Sequence, residues 1–365
     1  MELTKLETFA TETVAFVRAH TTDGDVGLGQ VAPYNADITA EVFHRQVAPH
    51  ALGRDVEDSG RLADDIIEAE YKFPWSYVCR ATAGLETALW DLRGKRQGEP
   101  VVSLLGGEPT AVPVYGSSMQ RDIEPEAEAG RLARLRDEHG YEAFKIRTGA
   151  RDARGSDEES WPGRTADLVP AVREAVGEDV ELFIDGNSSY TPERAIEIGE
   201  EILAPNDVSL FEEPCPYWEL EWTAEVNEAL DDVAVVGGEQ DTNLAQWRRM
   251  IETEAVETVQ PDVCYIGGVD RARRVAEMAA DAGLPCMPHS ANHSMVTVFT
   301  LHLVAALDNA GPYVEYSIED HWAEGLLSPP PTVEDGEVDV PSGPGWGVDV
   351  DPGWFDRADY RVSEL

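Results

Sequence analysis

Basic residues are what this chain has least of. Its 365 residues carry 28 Lys+Arg against 71 Asp+Glu, a formal charge of −43. A surface this negative repels phosphate backbones and anionic headgroups, which argues against nucleic-acid and membrane-surface roles. Lysine is scarcer still, with Lys5, Lys72, Lys95 and Lys145 standing against 24 arginines. Dense carboxylate with little lysine points to a salt-loving host, where concentrated ions screen the self-repulsion. Cysteine pairs are lacking too. Cys79, Cys215, Cys264 and Cys286 lie far apart without a CxxC, so reduced, buried thiols are expected in place of a disulfide frame or zinc site. No apolar run approaches the roughly 18 residues of a membrane span. The start, MELTKLETFATETVAF, has no basic segment leading into an apolar one, and a cytoplasmic protein is expected. What is present is core: 42% of residues are hydrophobic, with 9 Trp, 11 Tyr and 9 Phe, which excludes disorder.

From about residue 111 a short apolar run followed by a helical stretch recurs. The candidate strands are 112–117, 143–147, 181–185, 208–212, 234–239, 257–262, 285–289 and 313–317. Between them lie segments such as TPERAIEIGEEIL, where Thr191 before Pro192 makes a helix start. Eight alternations predict an α/β fold of the (β/α)₈, TIM-barrel type. A doubly wound open sheet is the competitor, but it would usually carry a Gly-rich phosphate turn, and neither GxGxxG nor a P-loop occurs. Residues 1–110 read as a separate α+β capping domain, with antiparallel strands at the start, helices near 38–52 and 61–71, and an amphipathic helix near 81–98. The Pro- and Gly-rich tail, 325–365, is expected to be ordered only by packing, completing that cap around a catalytic barrel at 111–324. The polar stretch 151–164 reads as a surface loop.

In such a barrel chemistry sits at the C-terminal strand ends. Those ends are Ser117/Ser118, Lys145 with Arg147, Asp185, Glu212, Glu239, Asp262, His289 and Glu315, and from Arg147 onward they are spaced 38, 27, 27, 23, 27 and 26 residues apart. Any one carboxylate in so acidic a chain is ordinary; the phasing is not. Asp185, Glu212 and Glu239 from three consecutive strands make an oxygen-only set, which suits one Mg²⁺. Salt bridges around the rim are the alternative reading. Glu213, beside Glu212, is expected to point to the other face, and Asp241 is a weaker rival of Glu239.

The stretches ALWDLRGKRQGEPVVSLLGG (88–107), FKIRTG (144–149), IDGNSSYT (184–191), FEEP (211–214), GGEQ (237–240), QPDVCYIGG (260–268), PHS (288–290) and VEYS (314–317) resemble, in order, the mandelate racemase subgroup of the enolase superfamily. The resemblance implies a modified (β/α)₇β barrel, an α+β cap, one Mg²⁺ and abstraction of a proton next to a carboxylate to give an enediolate. It further implies that a Lys or His base works alongside the Mg²⁺. It implies an electrophilic role for Glu315, which would need to carry or share a proton. Asp262 would orient His289 as a dyad able to give or take a proton. His293, one turn on, is the confounder.

The subgroup often has Lys-x-Lys after its second strand, and this chain has Arg147 at the second position. Guanidinium is a poor base and a good carboxylate clamp. Lys145 becomes the candidate base, provided its pKa is depressed. That asymmetry favours dehydration of a polyhydroxy aldonic or aldaric acid to a 2-keto-3-deoxy acid. A racemase, epimerase or lactone cycloisomerase, or a non-catalytic metal-binding barrel, remain alternatives. The segments 20–35 and 49–58 are expected as lids over the substrate, with His20, Tyr34, Ser117, Asn187, Arg54 and Lys72 as candidate contacts. A small carboxylate substrate and a homo-oligomer are the expected partners.

Overall fold

The computed structural model describes residues 1–56, 59–319 and 323–365. The N-terminal segment forms three antiparallel strands, β1 (Leu3–Ala10), β2 (Ala15–Thr21) and β3 (Val26–Gln30). Leu3, Leu6 and Ala10 of β1 join Ala15, Val17 and Ala19 of β2 in one apolar cluster, so one face of this sheet is buried. Behind them runs the helix Tyr77–Gln97, closed by Gly98 at φ 74°. In place of the expected amphipathic helix, its residues are buried on almost every side, because the strands cover one flank and the C-terminal tail the other.

The Gly-rich stretch at 20–35 is not a lid as far as residue 30. It is the β2–β3 hairpin, and its glycines serve packing. A Cβ at Gly27 would fall on the Ala88 carbonyl oxygen, and one at Gly29 on the backbone of Gly84 and Ala88. The segment 49–56 is likewise drawn to the start of β1, with Gly53 N–H donating to Leu3 O at 2.8 Å and Leu3 N–H to Arg54 O at 3.0 Å. Residues 57–58 of that expected lid lie outside the described residues.

The second half carries parallel strands β4 (Ala111–Ser117), β5 (Ala143–Arg147), β6 (Glu181–Asp185), β7 (Val208–Glu212), β8 (Ala234–Gly237), β9 (Thr258–Val259) and β10 (Val314–Ser317). They pair in sequence order from β4 to β9, and β10 pairs with β4. Two expected strands are much reduced: 257–262 shrinks to two residues, and 285–289 to two isolated parallel bridges from Cys286, one to Val259 and one to Ala310. Pro261, Pro285 and Pro288 remove the N–H groups that a longer ladder would need. The four cysteines are free and buried. Among the described residues no helix is long and apolar enough to cross a membrane.

The tail serves both halves. Its strands are β11 (Leu327–Ser328), β12 (Val333–Glu334), β13 (Glu337–Asp339), β14 (Asp349–Val350) and β15 (Asp359–Glu364). β13 pairs antiparallel with β4, whereas β15 joins the N-terminal sheet beside β1. Trp346 donates its indole N–H to Thr87 O at 2.9 Å. His302, buried in the helix Met295–Val304, accepts from Val102 N–H at 2.9 Å and donates to Trp346 O at 3.2 Å.

Two expectations follow. Gly29→Ala should lower unfolding free energy by about 3 kcal/mol, since backbone cannot yield as a side chain does; urea titration measures it. Burial pushes His302 down to about 4 from 6.5. The unfolded chain therefore takes up a proton near pH 6.5 that the native chain refuses until about pH 4, and stability is lost as pH falls through that window. The part due to His302 amounts to about 3 kcal/mol, read as the difference between the pH profiles of wild type and His302→Gln.

Candidate active site

Strand register assembles the charged row. Arg147 on β5 lies opposite Asp185 on β6, Asp185 opposite Glu212 on β7, and Lys145 opposite Ser117 on β4. Lys145 and Arg147, two residues apart, share a face. All of these side chains are buried. Lys145 Nζ lies 2.7 and 2.8 Å from the two oxygens of Glu212, 2.9 Å from Glu315 Oε1 and 3.9 Å from Asp185 Oδ2. Burial alone would pull its pKa down, but Glu212 and Glu315 carry it well above the usual value. The expected depression is therefore absent, and this arrangement holds a lysinium. Arg147 Nη1 meets Asp185 Oδ2 at 2.6 Å.

Glu239 reaches the cluster by a turn, not by strand alternation. Gly238 has φ 109°, and the Trp247 ring fills the space a Cβ would take. Asp262 caps the short helix Val263–Ile266, accepting from Cys264 N–H at 2.7 Å and Tyr265 N–H at 2.8 Å through Oδ1. Its Oδ2 accepts from His289 Nδ1–H at 2.8 Å. The other ring nitrogen of His289 is 3.1 Å from Glu239 and 3.7 Å from Glu315. Burial opposes the charge on His289, but Glu239, Glu315 and Asp262 raise it to about 10. The expected dyad is thus present as an imidazolium.

Glu315 differs from expectation. Ser117 Oγ–H at 2.7 Å and Ser290 N–H at 2.8 Å both donate to it. Against the effect of burial, Lys145 and His289 hold it well below the usual carboxylate range, so here it accepts and has no proton to share. Ser117, expected as a substrate contact, is committed to Glu315. Glu213 also departs from its expected outward direction. Its φ of 40° breaks the alternation, and its carboxylate is buried, with Oε1 unpaired and its pKa driven well up by burial and by Glu239, Asp185 and Glu212.

The remaining candidates divide. Asn187 contributes its backbone, donating N–H to Asp185 Oδ1 at 2.7 Å. Tyr34, at φ 63°, borders a cavity of about 160 Å³ with Arg80, Gln240, Thr242 and Tyr265, and the charges of Arg147, Glu239 and Glu315 reach its phenol. His20 does not reach the site, being held on β2 by Glu7 at 2.6 Å. Arg54 pairs with Asp65, Lys72 is exposed, and His293 donates to Ser317 O at 2.6 Å. Asp241 has a buried, unpaired Oδ2, and burial raises its pKa to about 7. Gln260 was missed: its amide donates to Glu212 Oε2 at 2.7 Å. Two residues before Asp262, it shares that residue's face, a period-two signal available in the sequence.

Six buried carboxylates (Asp185, Glu212, Glu213, Glu239, Asp262, Glu315) face three cations (Lys145, Arg147, His289). Among the described residues no three His, Cys, Asp or Glu side chains already converge as an ion cage; the cations lie between them. Among the described residues Glu213 Oε1 is buried without a partner, while Asp185 Oδ2 meets Arg147 at 2.6 Å and Glu239 Oε2 meets His289 at 3.1 Å. Carboxylates in excess of the cations, one oxygen of them orphaned, fit a hard divalent cation.

Two family models cover most of this arrangement. Residues 3–106 match the mandelate racemase / muconate lactonizing enzyme N-terminal domain, and residues 127–354 the enolase C-terminal domain-like family. The chain belongs to the enolase superfamily, mandelate racemase / muconate lactonizing enzyme family. Within that superfamily, it is 29% identical over 350 residues to an arabinonate dehydratase of Saccharolobus solfataricus, covering 92% of this chain and 88% of the relative. A solved structure from Roseobacter denitrificans, provisionally named a racemase, is 52% identical with a TM-score of 0.97 over 100% of both chains. A family member from Paracoccus denitrificans, solved with magnesium, is 29% identical with a TM-score of 0.88, covering 100% of this chain and 99% of that one.

For this family member, Mg²⁺ at a hundredfold excess over its Kd should add about 2.7 kcal/mol of stability. Thermal melts with and without Mg²⁺ should show the gain in wild type and lose it in Asp185→Asn and Glu239→Gln.

Proposed function

We propose that the protein is a Mg²⁺-dependent dehydratase of a polyhydroxy sugar acid. The observation carrying this reading is the pairing of one lysine with an oriented His–Asp dyad around a single carboxylate cluster, in a chain that aligns over most of its length with a sugar-acid dehydratase. In it, the ring of parallel pairings is a modified (β/α)₇β barrel, and the N-terminal unit with the tail caps the strand ends.

Asp185, Glu212 and Glu239 would hold the ion, which when bound supplies positive charge to the substrate carboxylate. Lys145 takes the α-proton; its ammonium state here is sustained by Glu212, which ligation would occupy, and by Glu315, which would stay beside it. His289 Nε2–H gives its proton to the departing β-hydroxyl, the C–O bond breaks, and water leaves. Asp262 keeps the imidazole in the donating orientation throughout. The resulting enol takes a proton at Cβ, gives up the proton of its C2 hydroxyl, and becomes the 2-keto-3-deoxy acid. Arg147 stays charged and anchors Asp185.

A second reading has a specific support. The Roseobacter neighbour provisionally named a racemase shares 52% of its sequence, and Lys145 with His289 could serve as two bases in racemisation or epimerisation. Arg147 in place of a second lysine weighs against that. We also read the acidic surface as that of a cytoplasmic enzyme from a high-salt host, working as a homo-oligomer; Tyr71 and Phe73, 72% and 82% exposed, offer one apolar contact.

The test is incubation with Mg²⁺ in high salt against aldonic and aldaric acids, with a keto-acid readout. Wild type should release keto acid from at least one, and Lys145→Met should lower kcat by about 10³-fold or more, the scale of a lost acid–base group. Deuterium uptake from D₂O into unreacted substrate without keto acid would sink the dehydratase in favour of the isomerase.

A further inference from the structure

The loop that follows β4 carries a cation outside the machinery described so far. Arg121 is 8% exposed, and among the described residues its Nε and Nη2 atoms are buried with no hydrogen-bond partner. A buried guanidinium without a partner costs several kcal/mol, by order of magnitude. Its neighbours do not relieve it. Among the strongest influences on it, Arg147, Arg151 and Arg164 act with the same sign and Asp185 opposes them. Asp185 is already taken at 2.6 Å by Arg147.

Nearby arginines show what a structural role looks like. Arg131 is bonded to Glu128 at 2.9 Å and to Glu319 at 3.1 Å. Arg164 gives hydrogen bonds to Arg147 O at 2.9 Å and Gln120 O at 3.4 Å. Arg121 instead keeps a fork of donors unspent beside Arg147, whose own Nε is also unpaired. Burial with like charges drags Arg121 down to about 10, still cationic at neutral pH.

We infer that Arg121, backed by Arg147, is the seat of a second carboxylate on the substrate, so that sugar diacids are taken in preference to mono-acids. The inference rests on the dehydratase reading only for the identity of the first carboxylate. One carboxylate is provided for by the Lys145 cluster; a further unpaired guanidinium has a use only if the ligand brings a further anion. A planar fork matches a carboxylate through two parallel N–H···O bonds. It also fits this chain, where a net charge of −43 gives an incoming dianion little other attraction.

Matched pairs test it: galactarate against galactonate and glucarate against gluconate, which differ only in the terminal carboxylate, with 6-phosphogluconate as a further arm. Ligand-induced melting shifts of the Mg²⁺-loaded enzyme are read alongside keto-acid release, for wild type, Arg121→Gln and Arg121→Lys. The diacid of at least one pair should shift wild type more than its mono-acid. Arg121→Gln should cut the diacid-over-mono-acid preference about 10- to 100-fold, the range for losing a charge-assisted contact, and Arg121→Lys should restore part of it. Without ligand, Arg121→Gln should melt no lower than wild type, because an uncompensated charge has been removed.

A lower ligand-free melt with unchanged selectivity would make Arg121 a structural cation and overturn the inference. So would a shift with the phosphate ester alone, or no diacid-specific shift in either pair. An Arg121-dependent diacid shift without any keto acid would keep this inference and reject the dehydratase. Keto acid from both members of a pair, indifferent to Arg121, would do the reverse.

Discussion

Lys145 stands between Glu212 and Glu315, within 2.9 Å of both, at a depth where 1% of its side chain is exposed. Ions so buried lose hydration worth several kcal/mol each and recover it only through close, multiple contacts. The strand register supplies those contacts: Ser117 beside Lys145, and Arg147, Asp185 and Glu212 in one row across three strands. A slip of one residue in any of these strands would send its charged side chains to the other face. The cluster is consequently a strong constraint on register and a poor source of net stability. Stability comes from the apolar layers between the sheet and its helices, where residues such as Phe144, Ile146, Ile184 and Phe211 are fully buried.

Polar groups also fasten the N-terminal unit to the sheet. Glu86 accepts from the N–H groups of Val269 and Asp270 and from the Trp90 indole, all within 3.0 Å, at the start of a helix whose free donors suit a carboxylate. Asp91 accepts from Leu28 and Trp346 N–H and pairs with Lys95. The bonds from Leu28, Val269, Asp270 and Trp346 join segments more than 60 residues apart in sequence. Tyr34 borders the strand-end region because Arg80, on the same central helix, donates to the carbonyls of Pro33 and Tyr34.

Much of this was legible beforehand, and the failures share a cause. Asp185, Glu212, Glu239, Asp262, His289 and Glu315 could be read because a strand-to-strand repeat leaves a periodic trace in the chain. Asp262 and His289 do meet, as the resemblance implied. The glycines of 20–35 were misread because a flexible loop and a close backbone approach use the same residue. Glu213 was misplaced because alternation holds only while φ remains extended, and the chain turns left-handed there. The conditions set on Lys145 and Glu315 were not met, because their charge states depend on neighbours: Glu212 and Glu315 hold Lys145 charged against burial, and Lys145 and His289 hold Glu315 ionised. Arg121 leaves no sequence signal. Its distinction is the absence of a partner, which exists only once the chain has folded.

The scarcity of lysine then takes on a narrower meaning. Guanidinium is more weakly hydrated than ammonium and offers five fixed donors, so it suits sites where a buried cation must satisfy several acceptors at once. Arg147, Arg164 and Arg271 fill such positions, each buried and each bonded to carboxylate or carbonyl oxygens. An ammonium can exchange a proton under ordinary conditions and a guanidinium cannot. Lys145 is the buried lysine of the four, and it is the one set among three carboxylates; Lys5, Lys72 and Lys95 lie nearer solvent. Of the two buried cations on β5, Lys145 carries a proton that can be exchanged under ordinary conditions and Arg147 does not, although Glu212 and Glu315 hold Lys145 as an ammonium in this structure.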